Sequence, residues 1–332
     1  MKLVILIPAL NEEDSIQQVV NSVPKTIDGI SEVVVLVVDD GSSDKTSTLA
    51  EQAGALVVSH AQNRGVGAAF NTGLSKALEL GADVMVNIDA DGQFSPSDIP
   101  VLIEPIITKK ADFVSGDRFT DQNGTLSRPD YMSRLKFWGN KQMSRLISML
   151  TQKHFADVSC GFRAYSREAM LRLNITQSFT YTQESFIDLA NKGVDIASVP
   201  VKVKYFEGRK SRVAGNLVKY MYRTINIITR AYRDYRPLRF FTWLGLPPFI
   251  FGLGLGMFSL IHYIATGSIT PYKSFAIVGI YLFTMGIVFW IVGLLADMFV
   301  RIRSHQEQLL YFEKKRQYDK HEKSTNDRSL VD

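Results

Sequence analysis

Two uninterrupted apolar runs, residues 240–265 and 275–300, constrain this chain more than any other feature. Each holds about 26 residues, enough to cross a hydrocarbon core of roughly 30 Å with some tilt. Neither carries a charge until Asp297, and the loop between them, residues 266–274, holds only Lys273. Arginines gather before the first run (Arg230, Arg233, Arg236, Arg239) and after the second (Arg301, Arg303). Basic flanks on one side place both termini, and the folded domain attached to them, in the cytoplasm. Gly245 and Gly252, then Gly279, Gly286 and Gly293, recur every seven residues. Such faces suit close packing of the hairpin, or of neighbouring protomers in a homo-oligomer. Pro247-Pro248 should bend the first span.

The residues before the spans are numerous enough for one large domain. Residues 2–8 form a short apolar run that superficially resembles a signal peptide. It contains Pro8 and gives way at once to Asn11-Glu12-Glu13-Asp14, so it is read as a buried strand. Residues 32–38, nearly all valine, read as a second strand buried on both faces, as in a parallel sheet. Further strands are expected over 55–59, 83–89, 112–116 and 196–203. Between the first five lie helical patterns, beginning near Ser15, after Asp44, after Gly67 and near Asp98. Strand alternating with helix predicts a doubly wound, mostly parallel α/β sheet, whose ligands sit at the carboxyl ends of the strands.

Polar residues cluster at those ends: Asn11 and Glu12, Asp39 and Asp40, Asn63, and Asp89 and Asp91. Side chains alternate along a strand, so Asp89 and Asp91 can face one point if the chain stays extended that far. Two hard oxygen ligands there suit Mg²⁺ or Mn²⁺ holding a diphosphate; the plainer reading is an acidic strand-to-turn junction. Gly65-x-Gly67 is no dinucleotide fingerprint, because Phe70 stands where the third glycine belongs and the turn follows the third strand.

Arg118, Arg128 and Arg134 border a polar loop, and residues 157–163 read as a second approach to the crevice. Glu184 falls in a helix expected from about 182 to 192, where an exposed carboxylate is the ordinary role. Gly208-Arg209-Lys210-Ser211-Arg212 is a basic turn suited to anionic oxygens. Residues 213–239 bring apolar and basic side chains together at helical spacing, as on a helix lying against an anionic membrane surface. The tail from 304 to 332 is charged, expected helical at first and then disordered. The single cysteine, Cys160, excludes an internal disulfide and a cysteine-rich zinc site. A net charge of +5, without aromatic–basic interleaving, gives no case for nucleic acid.

Pro8-Ala9-Leu10-Asn11-Glu12, Asp39-Asp40-Gly41-Ser42-Ser43-Asp44 and Asp89-Ala90-Asp91-Gly92-Gln93 together resemble family 2 glycosyltransferases of the GT-A fold. With Asp117-Arg118-Phe119, Gly161-Phe162-Arg163, the 208–212 turn and a terminal membrane hairpin, the chain is similar to the polyprenyl-phosphate glycosyltransferases, the dolichyl-phosphate mannose synthase-like enzymes. The resemblance implies a GT-A catalytic domain over 1–212, basic interface helices over 213–239, a transmembrane hairpin over 240–300 and a charged tail over 301–332. It implies inverting transfer of a hexose from a UDP- or GDP-sugar to a dolichyl- or undecaprenyl-type phosphate. Pro8, Ala9, Leu10, Asn11, Glu12, Asp39, Asp40 and Ala90 would line the nucleotide, and Asp89, Asp91 and Gln93 would hold the cation. Arg118, Arg134, Arg163 and Ser211 would meet the acceptor phosphate, and Arg209 and Arg212 the donor. Leu10 stands where many relatives carry tyrosine, and no Gln-x-x-Arg-Trp of the processive synthases occurs. A lipid hydroxyl acceptor would require a base, Glu184 or Asp157. A silent nucleotide-sugar-binding membrane adaptor would have no use for the acidic pair.

Overall fold

The computed structural model describes residues 1–121, 125–130, 132–175, 181–204, 229–230 and 232–329, with side chains described to residue 319. The chain divides into two units, Met1–Arg209 with Tyr311–Asp332, and Lys210–Leu310. The expected basic turn and most of the 213–239 helix fall outside the described residues.

The first unit is built on β1 (Lys2–Ala9), β2 (Glu32–Asp39), β3 (Leu56–Ser59), β4 (Val84–Asn87), β5 (Phe113–Asp117), β6 (Arg163–Ser166) and β7 (Ile196–Pro200). They form one sheet in the order β3-β2-β1-β4-β6-β5-β7. Every pairing is parallel except those of β6, which runs antiparallel to β4 and β5. β1 pairs with β2 on one side and β4 on the other, so the winding reverses there, and a crevice opens beyond the carboxyl ends of these three strands.

Leu3 to Ile7 are completely buried, because helices cover both faces. Leu3, Ile5 and Ile7 share a cluster with α1 (Ile16–Asn21), α2 (Thr46–Gln52) and α4 (Ile99–Ile107). Leu6 points the other way, onto α3 (Val66–Glu79). A Cβ added at Gly73 would lie 2.2 Å from the Leu6 side chain, so only glycine lets α3 approach this closely. Further helices of this unit are α5 (Arg134–Thr151), α6 (Arg167–Arg172) and α7 (Thr182–Asn191). Alternation along β1 thus accounts for the two helical layers.

In the second unit the helix Pro237–Thr266 and the helix starting at Lys273 are both long and apolar enough to cross a membrane. The glycines spaced by seven meet each other: a Cβ on Gly252 would sit 2.6 Å from Gly279 O and 2.3 Å from Phe283 N, and one on Gly245 2.9 Å from Gly286 O. The expected small-residue face is used within the hairpin.

The tail departs from expectation. The helix beginning at Lys273 continues to Ser329, and from Tyr311 onward it belongs to the first unit. Tyr311 Oη donates to Glu168 Oε2 (3.0 Å), Lys314 Nζ donates to Leu173 O (3.1 Å) and Asn174 Oδ1 (2.8 Å), and Arg167 pairs with Asp319 (3.2 Å). Tyr318 is buried. Helix was expected only at first; it runs on to Ser329, and contacts from residues 311–319 hold it against α6.

Candidate active site

The crevice is assembled by loops that leave adjacent strands and bond to one another. After β1 the backbone turns at Asn11, whose φ of 52° lies in the left-handed region that asparagine tolerates. Asn11 N donates to Ser42 Oγ (2.9 Å) and Asn11 Oδ1 accepts from Ser43 N (2.9 Å), while Glu12 N donates to Thr46 Oγ1 (2.9 Å). The stretch expected to line a nucleotide is therefore clamped to the loop after β2. Pro8 and Leu10 are half-buried there, and Ala9 and Ala90 are buried.

Asp39 and Asp40 are both buried, and their environments differ. Asp40 accepts from His60 Nδ1 (2.7 Å), Arg64 N (3.0 Å) and Gly65 N (2.8 Å), and His60 Nε2 bonds Thr72 Oγ1 (2.9 Å). It fastens the entrance of α3. Asp39 accepts from Ser42 N (3.0 Å) and is the better placed of the two to meet a ligand. Gly41, at φ 77°, is required between them and the next loop, because a Cβ would lie 2.6 Å from the Gln62 backbone.

β4 ends at Asn87, and the chain turns through Ala90 and Asp91 to Gly92 at φ 69°. The extended path expected to Asp91 is not the one taken, yet the carboxylates still crowd each other. Burial, and then the Asp91 charge, push the Asp89 carboxyl up from 3.8 to about 6, against the pull of Arg118 and Arg163. Asp89 packs on Gly161, where a Cβ would lie 2.7 Å from its carboxylate oxygen. Asp91 Oδ1 accepts from Gln93 N (3.0 Å), and Gln93 O accepts from Lys204 N (2.9 Å). Two crowded acids at one strand end fit a divalent cation, which would relieve their repulsion. Among the described residues no group of three or more His, Cys, Asp or Glu forms a cation site. An ion at the Asp pair would therefore take its other oxygens from Gln93 and from the ligand.

Arg118 Nε and Nη2 donate to the Asp157 carboxylate (2.6 and 3.0 Å), a fork that fixes the guanidinium plane. Asp157 is completely engaged in this way and fits poorly as a base. Arg134 is exposed at the first position of α5, behind the N-cap Ser133, whose Oγ accepts from Lys136 N (3.3 Å). Lys136 escaped the sequence reading. Its ammonium pKa is lowered by desolvation and then by Arg118, and raised by Asp91, so it stands within the field of both. Its only signal was a lysine in the first turn after Arg134.

Arg163 is a correction. Expected to meet an acceptor phosphate, it is completely buried, with its donors committed to Cys160 O, Thr182 O, Val158 O and Ser185 Oγ. Glu184, expected to be an exposed helix carboxylate or a base, is partly buried in the first turn of α7. Asn87, at the start of the acidic strand end and given no role there, is buried and donates through Nδ2 to Gly161 O (2.8 Å) and Tyr181 Oη (2.8 Å). Arg209, Ser211 and Arg212 lie outside the described residues.

Residues 4–173 match the family described as Glycosyl transferase family 2. A Methanococcus voltae protein, UDP-N-acetylglucosamine--dolichyl-phosphate N-acetylglucosaminyltransferase, is 32% identical over 244 residues, covering 67% of this chain and 94% of its own. Glycosyltransferase AglJ of Haloferax volcanii is 29% identical over 314 residues, 92% of this chain and 95% of its own. Among solved structures, glucosyl-3-phosphoglycerate synthase from Mycobacterium tuberculosis covers 70% of this chain and 78% of its own, with a TM-score of 0.53 and 24% identity, a likeness of fold.

Proposed function

The chain belongs to glycosyl transferase family 2, and from that premise we propose that it transfers a hexose from a nucleotide-sugar to a membrane polyprenyl phosphate with inversion. The observation that carries this reading is the crowded Asp89–Asp91 pair at the switch point of the sheet, in a chain with two helices of membrane length. The Methanococcus voltae relative, by its name, uses UDP-N-acetylglucosamine and dolichyl phosphate, which supports a lipid-phosphate acceptor here.

Pro8, Leu10, Glu12 and Asp39 would contact the nucleoside of a UDP- or GDP-hexose. Asp89, Asp91 and Gln93 would hold Mg²⁺ or Mn²⁺; when bound, such a cation neutralises charge building on the departing diphosphate. Arg118 and Arg134, with Lys136 beside them, would gather the reacting phosphates, and Arg209, Ser211 and Arg212 would complete the set. Because Asp157 holds Arg118 before ligand arrives, its donors need little reorganisation during reaction. A phosphate monoester with a second pKa near about 6 is already largely a dianion at neutral pH. Its oxygen can attack the anomeric carbon without a general base, giving a β-linked product from an α-linked donor. The basic flanks of the apolar helices support a cytoplasmic catalytic unit with both termini on the same side.

The test offers polyprenyl phosphate, the corresponding polyprenol and diacylglycerol as acceptors to wild type and to Glu184→Gln. Transfer to the phosphate alone, retained in the variant, is expected. Transfer to an alcohol that Glu184→Gln abolishes would replace this reading with a hydroxyl-acceptor transferase.

A further inference from the structure

An arginine sealed inside the catalytic unit without a salt bridge among the described residues needs a reason. Arg163 is 0% exposed; among the described residues no carboxylate forms a salt bridge with it, although Asp89 feels its charge. Its Nε donates to Cys160 O (2.7 Å), Nη1 to Thr182 O (2.7 Å) and Ser185 Oγ (2.6 Å), and Nη2 to Val158 O (3.0 Å). The rings of Phe186, Phe113 and Tyr181 lie 4.8, 5.7 and 5.8 Å from its guanidinium carbon. A buried charge is costly, and an apolar side chain of similar volume would often fold as well or better.

The acceptors show what the charge secures. Val158 and Cys160 belong to the stretch that leads into β6, whereas Thr182 and Ser185 belong to the first turn of α7. The same stretch carries Asp157, which orients Arg118, and Gly161, on which Asp89 is seated. Gly161 O also holds the Asn87 amide, which in turn reaches Tyr181 Oη. One planar fork therefore ties the backbone between the two halves of the candidate site to the helix bearing Glu184.

We propose that Arg163 is a positioning residue: it holds residues 157–162 in the arrangement that seats Asp89 against Gly161 and Asp157 against Arg118, so that the cation carboxylates and the phosphate arginine are set together. What those two halves do rests on the glycosyl-transfer reading; that Arg163 holds them does not.

Full-length Arg163→Lys and Arg163→Met in detergent test it, with Asp91→Ala for reference and thermal melting to establish folding. Mn²⁺ affinity is measured by electron paramagnetic resonance, and amide hydrogen exchange is followed over 157–163. Removing a nearby positive charge should, by electrostatics alone, tighten cation binding. A fall therefore reports geometry. Both variants should lose about 10- to 100-fold in Mn²⁺ affinity, as supporting residues of metal sites do. Lysine should lose less than methionine, because it keeps the charge but lacks the fork. Exchange of the 158–162 amides should quicken at least tenfold in both.

Unchanged or tighter Mn²⁺ binding with unchanged exchange overturns the proposal. If Arg163→Met does not fold, Ser185→Ala replaces it, removing one acceptor and leaving the guanidinium; a smaller loss of the same sign is expected, and no change in it or in Arg163→Lys overturns the proposal. Wild type that binds no Mn²⁺ would sink the cation reading, and the exchange rates alone would then decide the role of Arg163.

Discussion

Asp89→Asn should stabilise the cation-free protein while abolishing transfer. The Asp89 carboxyl is lifted from 3.8 to about 6 by burial and then by Asp91. A carboxyl that holds its proton more tightly in the folded chain than in the unfolded one costs stability when it ionises. The penalty is absent below the unfolded pKa, grows as pH rises through the interval and is complete above the folded value. A gap of about 2 units corresponds to about 3 kcal/mol at pH 7.5, of which about half remains at pH 5. Asparagine keeps the shape without the charge and escapes the penalty. For a unit of this size that is a rise of about 6–12 °C in melting temperature at pH 7.5, shrinking by about half at pH 5. Melting in detergent with a chelator, followed by circular dichroism, reads it directly. Adding Mn²⁺ should recover stability in the wild type and little in the variant. An equal difference at both pH values, or no gain at pH 7.5, would refute the claim that the acidic pair is strained without a cation.

Three further outcomes follow from particular contacts. Asp157→Asn breaks the fork to a nearly buried Arg118 and should cost about 3 kcal/mol in a melting experiment, with transfer reduced in the same protein. Tyr318→Ala removes a buried ring from the C-terminal helix and should cost about 3 kcal/mol in the first unit, whereas Phe312→Ala, 64% exposed on the same helix, should change little. Gly252→Val would collide with the Phe283 backbone and should lower the detergent melting temperature by the equivalent of about 1–3 kcal/mol, while Gly254→Val, with nothing within 4 Å, should not.

Much of this molecule is legible in its residues because period and burial leave a pattern. The runs of β1 and β2 and the seven-residue glycine spacing each specify a face, and each face meets what the pattern requires. What stayed hidden depends on partners that no local pattern displays. Asp39 and Asp40 are neighbours of one kind, and only the fold shows that Asp40 is claimed by His60 and the α3 entrance. Arg163 looks like any loop cation in sequence, because its partners are mostly backbone carbonyls. The antiparallel β6 was not expected as a strand, because its four residues are too few to show an alternating pattern. In the tail, Tyr311, Lys314 and Tyr318 form a helical stripe inside charged surroundings, so average composition concealed a docked face.

The proposed reaction is cation-dependent transfer of sugar onto a lipid phosphate. Purified protein in detergent, given polyprenyl phosphate and a panel of labelled UDP- and GDP-hexoses with and without Mn²⁺, tests it by counting label in the organic phase. Transfer from one donor, dependent on the cation and lost in Asp91→Ala, is expected. No transfer from any donor, by protein that still binds nucleotide, would contradict it.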